Sequence, residues 1–135
     1  MIERAGTTLF SASELRDPDS REVHLAPGFA EHLADLRIRY GAPMILTSAC
    51  RSKKYNAEIG GHSRSLHVFD EPAHPTQGCA AVDVAMHDSA KRARLVQLAL
   101  AAGWSVGCAR TFIHLDRRID FLPGNSPRVF FYGAK

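Results

Sequence analysis

Two histidines and an aspartate, His67, Asp83 and His114, form a candidate metal-binding set in this chain of 135 residues. Two imidazoles and one carboxylate commonly hold a catalytic zinc ion, and three protein ligands leave a fourth position open for water. Zinc makes such a water nucleophilic near neutral pH and polarises a scissile carbonyl group. If the three side chains meet in space, the sequence predicts a metal-dependent hydrolase.

Two predicted strands explain how these side chains could reach one cleft. Side chains alternate between the two faces of a strand. Over residues 111–117, this alternation places His114 and Asp116 opposite the aliphatic side chains. Over residues 80–86, Asp83 likewise lies away from the aliphatic face. We therefore expect both strands to direct polar groups to one side, where the remaining histidine enters from a preceding loop.

Two further residues are candidates for catalysis. The guanidinium group of Arg51, just after a predicted strand, could hold a developing oxyanion or a terminal carboxylate of a substrate. Asp116 is the candidate general base because it lies on the same face as His114. It is equally suited to orienting that histidine or to pairing with Arg117 or Arg118. Three other histidines are alternative bases: His62, His74 and His87.

Composition narrows the class of protein. The length predicts one domain, residues 1–135, with a core of its own, and 45% hydrophobic and 23% charged residues are ordinary for a globular chain. There is no long apolar run, so we expect no membrane insertion, and the N-terminus lacks the pattern of a signal peptide. The net charge of +3 is mild and its basic residues are scattered, which argues against nucleic-acid binding. We expect a monomer.

The three cysteines are expected to be reduced packing residues. Their number is odd, so at least one is free, and no C-x-x-C pair supports a cysteine zinc site. They are Cys50, Cys79 and Cys108.

The hydrophobic pattern predicts an α+β fold. Helices are expected over residues 27–40 and 52–59 and from Ser89, as the cap, to Gly103, with a short capped turn at 10–15. Strands are expected over 44–47, 80–86, 104–108, 111–117 and 129–132, the last at an edge, and residues 62–78 are expected to form a loop. The sum is a small, mostly antiparallel sheet with helices packed on one side.

These motifs resemble those of the zinc D-alanyl-D-alanine carboxypeptidase family. Its superfamily includes phage L-alanyl-D-glutamate endolysins, the vancomycin-resistance dipeptidase and the hedgehog amino-terminal domain. The family signature is S-x-H-x-x-G-x-A-x-D, followed by a strand with a third ligand histidine. The matching segments here, within a similarity that covers nearly the whole chain, are Ser65-Leu66-His67, Gly78-Cys79-Ala80-Ala81-Val82-Asp83 and Phe112-Ile113-His114-Leu115-Asp116.

The resemblance implies a role for each matching residue. His67, Asp83 and His114 would hold one zinc ion, Arg51 would contact the substrate or the transition state, and Ser65 would bind substrate beside the first ligand. The chain departs from the pattern in two places. Residues 70–77 lengthen the segment before the second ligand, so Asp70 competes with Asp83 for that role. Many relatives also carry an acid or a histidine shortly before the third ligand, where this chain has Thr111 and Phe112.

The function implied is zinc-dependent hydrolysis of a peptide bond in peptidoglycan stem peptides, by a carboxypeptidase or an endopeptidase. A cell-wall motif without a signal peptide suggests a phage or prophage lysis or virion protein, made in the cytoplasm and acting on the bacterial wall. The alternative is a zinc-stabilised module that binds peptide or cell wall without catalysis. The missing acid before the third ligand motivates that alternative.

Overall fold

The computed structural model describes residues 1–122, 124 and 126–133. Twelve elements follow one another along these described residues. The helices are α1 (Ala12–Leu15), α2 (Phe29–Tyr40), α3 (Lys53–Glu58), α4 (Ser89–Ala101) and α5 (Arg118–Phe121). The strands are β1 (Ile2–Arg4), β2 (Thr7–Phe10), β3 (Leu46–Ser48), β4 (Ala81–Ala85), β5 (Ser105–Cys108), β6 (Phe112–Asp116) and β7 (Val129–Phe131).

Five strands form the main sheet in the order β3-β4-β6-β5-β7. Their pairings are antiparallel except for β5 with β7, which is parallel. β1 and β2 form a separate antiparallel hairpin. The predicted α+β class, with its small and mostly antiparallel sheet, is confirmed. The hairpin and α5 were not predicted. The hairpin turns at Ala5 and Gly6, both with positive φ, and Ala is an uncommon residue at such a position.

The core lies between one face of the sheet and the helices α2 and α4. Apolar side chains recur at helical spacing along α2, and Gly41 ends that helix in the left-handed conformation, with φ of 70°. Because these side chains leave water together, their burial is the main source of stability. The buried residues of the two helices are Phe29, Leu33, Ala34, Leu36, Tyr40, Leu95 and Ala99. The sheet contributes Val82, Val84, Val106, Ile113 and Leu115, and Trp104 is fully buried beside it.

The structure confirms the predicted cap of α1 and corrects the predicted cap of α4. Ser11 and Glu14 form the predicted capping box of α1. The cap of α4 is Asp88 rather than the predicted Ser89, because the Asp88 carboxylate accepts the N–H of Lys91 at 2.9 Å. The strand predicted over 44–47 is also shorter and later, since β3 covers Leu46–Ser48.

The turn before α3 is anchored by a fully buried carboxylate. Asp17 accepts the backbone N–H groups of Ser20 at 2.7 Å and Ser52 at 2.9 Å. Burial would raise the pKa of Asp17, but these donors outweigh it and the pKa is lowered. Ser52 in turn caps α3 through the N–H of Tyr55. The anchor therefore fixes the backbone directly after Arg51.

The register of the main sheet places polar residues of neighbouring strands side by side. Asp83 of β4 lies directly opposite His114 of β6 and beside Ser48 of β3. Opposed residues on neighbouring strands have Cβ atoms about 5 Å apart, so two predicted ligands are neighbours by register alone.

Among the residues described, no helix combines the length and the apolar character needed to cross a membrane.

Candidate metal centre

His67, Asp83 and His114 meet in a buried cluster. One donor atom from each residue lies within 4.8 Å of the others. The Asp83 Oδ1 atom is 3.1 Å from Nε2 of His67 and 3.0 Å from Nδ1 of His114. The structure thus brings together the three residues that the sequence singled out, from a loop and two adjacent strands.

The ring of His67 is held from behind by the main chain. Its Nδ1–H donates to the carbonyl of Ala49 at 2.6 Å, which leaves Nε2 without a proton in the neutral ring. The His67 carbonyl accepts the backbone N–H of Arg51 at 2.9 Å. The segment that carries Arg51 therefore fixes both the backbone and the tautomer of this histidine.

The ring of His114 is held by a carboxylate. Its Nε2–H donates to Oδ2 of Asp116 at 2.8 Å, so Nδ1 is the nitrogen that faces Asp83. The Phe130 ring packs against His114 with ring centroids 5.7 Å apart. Gly107, opposite His114 on β5, leaves the space for Phe130, since an added Cβ would lie 2.5 Å from that ring.

This arrangement fits a metal cation. Two ring nitrogens whose protons are committed elsewhere face one carboxylate oxygen, so three acceptors converge on one another. Buried acceptors at such distances repel unless positive charge lies between them. A nitrogen–nitrogen–oxygen donor set with outer partners on both imidazoles is the kind of site that zinc occupies.

The pKa shifts of the two carboxylates and of His114 also indicate a site that favours positive charge beside ionised carboxylates. Burial lowers the pKa of His67. Burial acts in the same direction on His114, but Asp116 and Asp83 outweigh it and the pKa is raised. Burial would raise the pKa of Asp83, yet its close contacts with the imidazole rings of His114 and His67 hold it well below its usual range. Burial would also raise the pKa of Asp116, but its hydrogen bonds with His114 and Arg118 outweigh burial and lower the pKa to about 2. Both carboxylates are ionised at neutral pH.

Arg51 lies against the cluster as a fixed cation. Its Nη2 atom is 3.4 Å from Oδ2 of Asp83, and its Nε–H and Nη1–H groups donate to Ser48 and Asn56. Asn56 is itself held by the carbonyl of His62 at 3.0 Å. The Arg51 guanidinium therefore orients the Asp83 carboxylate, and the arginine side chain remains 14% exposed.

Asp116 has the contacts of an orienting residue rather than of a general base. Besides His114, it accepts the Nη2–H of Arg118 at 2.7 Å and the backbone N–H of Arg118 at 3.0 Å. The alternative partner, Arg117, pairs instead with Asp120 and stacks on Trp104. Asp116 is also fully buried. A carboxylate so paired, with a pKa of about 2, accepts protons poorly.

A cleft of about 490 Å³ opens beside His114. Its polar lining includes Ser65, whose hydroxyl accepts the N–H of His67 at 3.2 Å and so supports the loop of the first ligand. The sequence pattern did not indicate that several other side chains line the cleft. They are Arg64, Arg118, Phe130 and Tyr132.

The remaining candidates lie elsewhere, with one exception. Asp70 is exposed and accepts the N–H of Lys53 at 2.7 Å at the start of α3, so Asp83 and not Asp70 joins the histidines. His74 lies in a neighbouring cavity, and His87 is exposed and does not line the cleft. His62 does line the cleft. The three cysteines are free, and Cys50 and Cys79 are buried as expected.

Comparison with known proteins identifies the family. The model of the family described as Peptidase M15 matches residues 4–116, which include Arg51 and the whole cluster. This chain belongs to the peptidase M15 family. Neither the curated proteins nor the solved structures gave a match.

Peptidase M15 members are zinc peptidases, so the predicted metallopeptidase family is confirmed, and the His67, Asp83 and His114 cluster is a zinc site candidate within it. The match ends at Asp116. One side of the cleft lies beyond the matched residues and is described by the structure of this chain alone. It is formed by Arg118, Phe130 and Tyr132.

The orienting role of Asp116 can be tested through zinc affinity. Asp116→Asn removes the charge behind His114, and we expect it to weaken zinc binding about 10- to 100-fold. Competition with a chromophoric zinc chelator measures this change. Asp120→Asn, which alters the pair with Arg117, is the matched control and should leave affinity unchanged. Equal affinity in Asp116→Asn and the parent protein would contradict the assignment.

Proposed function

We propose that this chain hydrolyses a peptide bond in peptidoglycan stem peptides, in a zinc-dependent reaction of the carboxypeptidase or endopeptidase type. The observation that carries the proposal is the buried cluster of His67, Asp83 and His114 beside a cleft with cationic and hydroxyl groups. A zinc ion held by the cluster would supply an activated water and polarise the scissile carbonyl group.

The charge of the cleft supports an anionic peptide as substrate. Arg64 and Arg118 line it, and its one lining carboxylate among the described residues, Asp116, is already paired with Arg118. Guanidinium groups bind carboxylates with directional, charge-assisted hydrogen bonds. Stem peptides carry several carboxylates, so these two arginines are suited to hold them near the cluster.

Tyr132 and Arg51 are suited to stabilise negative charge on the substrate. Burial raises the pKa of Tyr132 to about 12, with Asp83 adding to the effect, so its hydroxyl stays protonated and can donate. Arg51 has five N–H donors, of which three have partners among the described residues. A hydroxyl that lines the cleft and a cation held against the cluster could both stabilise a developing oxyanion.

Proton transfer is assigned to His62. Its Nδ1 accepts the backbone N–H of Arg64 at 3.0 Å, so a neutral ring carries its proton on Nε2. If the ring takes the proton of the attacking water on Nδ1, which releases the N–H of Arg64, the resulting imidazolium can give its Nε2 proton to the leaving amine in the cleft that His62 lines, and the ring ends neutral. Histidine is suited to this role near neutral pH, whereas Asp116 is buried and paired.

We also propose that the chain acts on the bacterial cell wall, as a lysis or virion protein of phage or prophage origin. The mild positive charge of +3 supports association with an anionic polymer. A single copy of the chain contains all of the residues assigned above.

The proposal predicts metal-dependent cleavage of purified peptidoglycan. New amino groups should be released by the zinc-loaded protein, abolished by a chelator and restored by added zinc. His67→Ala should lose this activity because it removes a ligand. His87→Ala, an exposed histidine outside the cleft lining, is the matched control and should retain it.

Two outcomes would overturn this function. Cleavage that persists without metal, or in His67→Ala, would contradict the mechanism. Zinc and stem-peptide binding without any cleavage would instead support the alternative, a zinc-stabilised binding module.

The role of His62 predicts a selective loss of turnover. At saturating zinc, His62→Gln should lower kcat about 100-fold with little change in KM, because glutamine cannot transfer a proton. Asp116→Asn under the same conditions should keep most of its turnover. Steady-state kinetics on a synthetic stem peptide separate the two roles, and the reverse pattern would make Asp116 the proton-transfer group.

A further inference from the structure

The inserted segment 70–77 forms a second cavity, of about 320 Å³, next to the main cleft. Arg64, Leu66 and Leu122 line both cavities, so the two share a wall. The insertion contributes Glu71 and His74 to the second cavity, with the apolar groups of Ala73 and Pro75. A ligand in the main cleft can therefore extend one side chain towards the insertion.

The insertion is held in shape by its own hydrogen bonds. The backbone N–H of His74 donates to the carbonyl of Glu71 at 3.1 Å, and the Gln77 amide donates to the same carbonyl at 2.8 Å. The N–H of Gly78 closes the segment on the carbonyl of Phe69 at 3.0 Å. An added Cβ at Gly78 would lie 2.5 Å from the backbone of Ala26. The second cavity is thus a preformed feature of the loop.

Two buried polar atoms of residues that line this cavity lack hydrogen-bond partners among the described residues. They are Oε2 of Glu71 and Nε2 of His74. Lys53 Nζ lies 3.1 Å from Oε2 of Glu71 as an ion pair without hydrogen-bond geometry, and the lysine side chain is 62% exposed. Buried acceptors without donors are costly, and such groups are commonly satisfied by a ligand.

We propose that this cavity is a specificity subsite for a diamino acid residue of the substrate, an aliphatic side chain that ends in an ammonium group. An ammonium group donates three hydrogen bonds, which matches a carboxylate and an imidazole nitrogen. The methylene groups of such a side chain fit the apolar wall of Leu66, Pro75 and Leu122.

This inference rests on the proposed function, since it names the residue of the stem peptide that the insertion recognises. The incoming ammonium group takes the place of Lys53 Nζ at Glu71. The displaced lysine side chain, which is 62% exposed, then returns to water. The insertion, which lengthens the loop between the first and second ligands, thereby selects among stem peptides.

The test uses two synthetic pentapeptides, L-alanyl-γ-D-glutamyl-X-D-alanyl-D-alanine, in which X is L-lysine or L-norleucine. Their affinities for the zinc-loaded protein are measured by calorimetry, with a non-cleaving variant, His62→Gln, if turnover interferes. The lysine peptide should bind about tenfold more tightly. Glu71→Gln should abolish that preference while leaving norleucine binding unchanged. Glu58→Gln, an exposed acid on α3, is the matched control and should keep the preference.

The binding ratio decides the subsite, and cleavage decides the function. Equal affinity for the two peptides in the parent protein would overturn the subsite, as would a preference that survives in Glu71→Gln. Absence of cleavage with a lysine preference intact would overturn the peptidase function while supporting the subsite. Fluorescence of the buried Trp104 confirms that each variant is folded.

Discussion

The site depends on the convergence of three acceptors, Nε2 of His67, Oδ1 of Asp83 and Nδ1 of His114, in a buried space. The antiparallel register of β4 and β6 places the second and third opposite each other. Three buried acceptors so close together repel one another. A bound cation would remove this repulsion and stabilise the folded state. Burial of aliphatic side chains on the other face of the same two strands stabilises this register.

A surrounding layer of hydrogen bonds determines which atoms face the centre. The Ala49 carbonyl fixes the ring of His67, Asp116 fixes the ring of His114, and Arg51 fixes the carboxylate of Asp83. Each of these partners is itself restrained: Asp116 by Arg118, for example, through side-chain and backbone N–H groups. Loss of such an outer partner commonly weakens metal binding about 10- to 100-fold.

Much of the site could be predicted from the sequence because strand alternation is local. Asp83 and His114 lie opposite aliphatic neighbours, and that pattern alone places them on the polar face. The role of Asp116 could not be decided in this way, because it depends on the turn into α5 that returns Arg118 to the carboxylate. Tyr132 reaches the cleft through the parallel pairing of β7 with β5, a contact distant in sequence.

The positions of the side chains in the insertion could not be predicted from the sequence, for a different reason. Residues 70–77 have no periodic pattern, so their side chains could not be assigned to a face. Their loop hydrogen bonds place Glu71 and His74 in a cavity that adjoins the cleft. Likewise, Asp88 and Ser89 are both good helix caps, and only the backbone path decides between them. Spacing and strand alternation thus singled out the candidate ligands, while long-range contacts determine what surrounds them.

The most direct test of this account is a crystal structure of the zinc-loaded protein, with anomalous differences measured on both sides of the zinc absorption edge. We predict one zinc ion bound by His67, Asp83 and His114, with Nδ1 of His114 as its donor and Nε2 still facing Asp116. Zinc held by other residues, or by Nε2 of His114 with Asp116 displaced, would contradict the account.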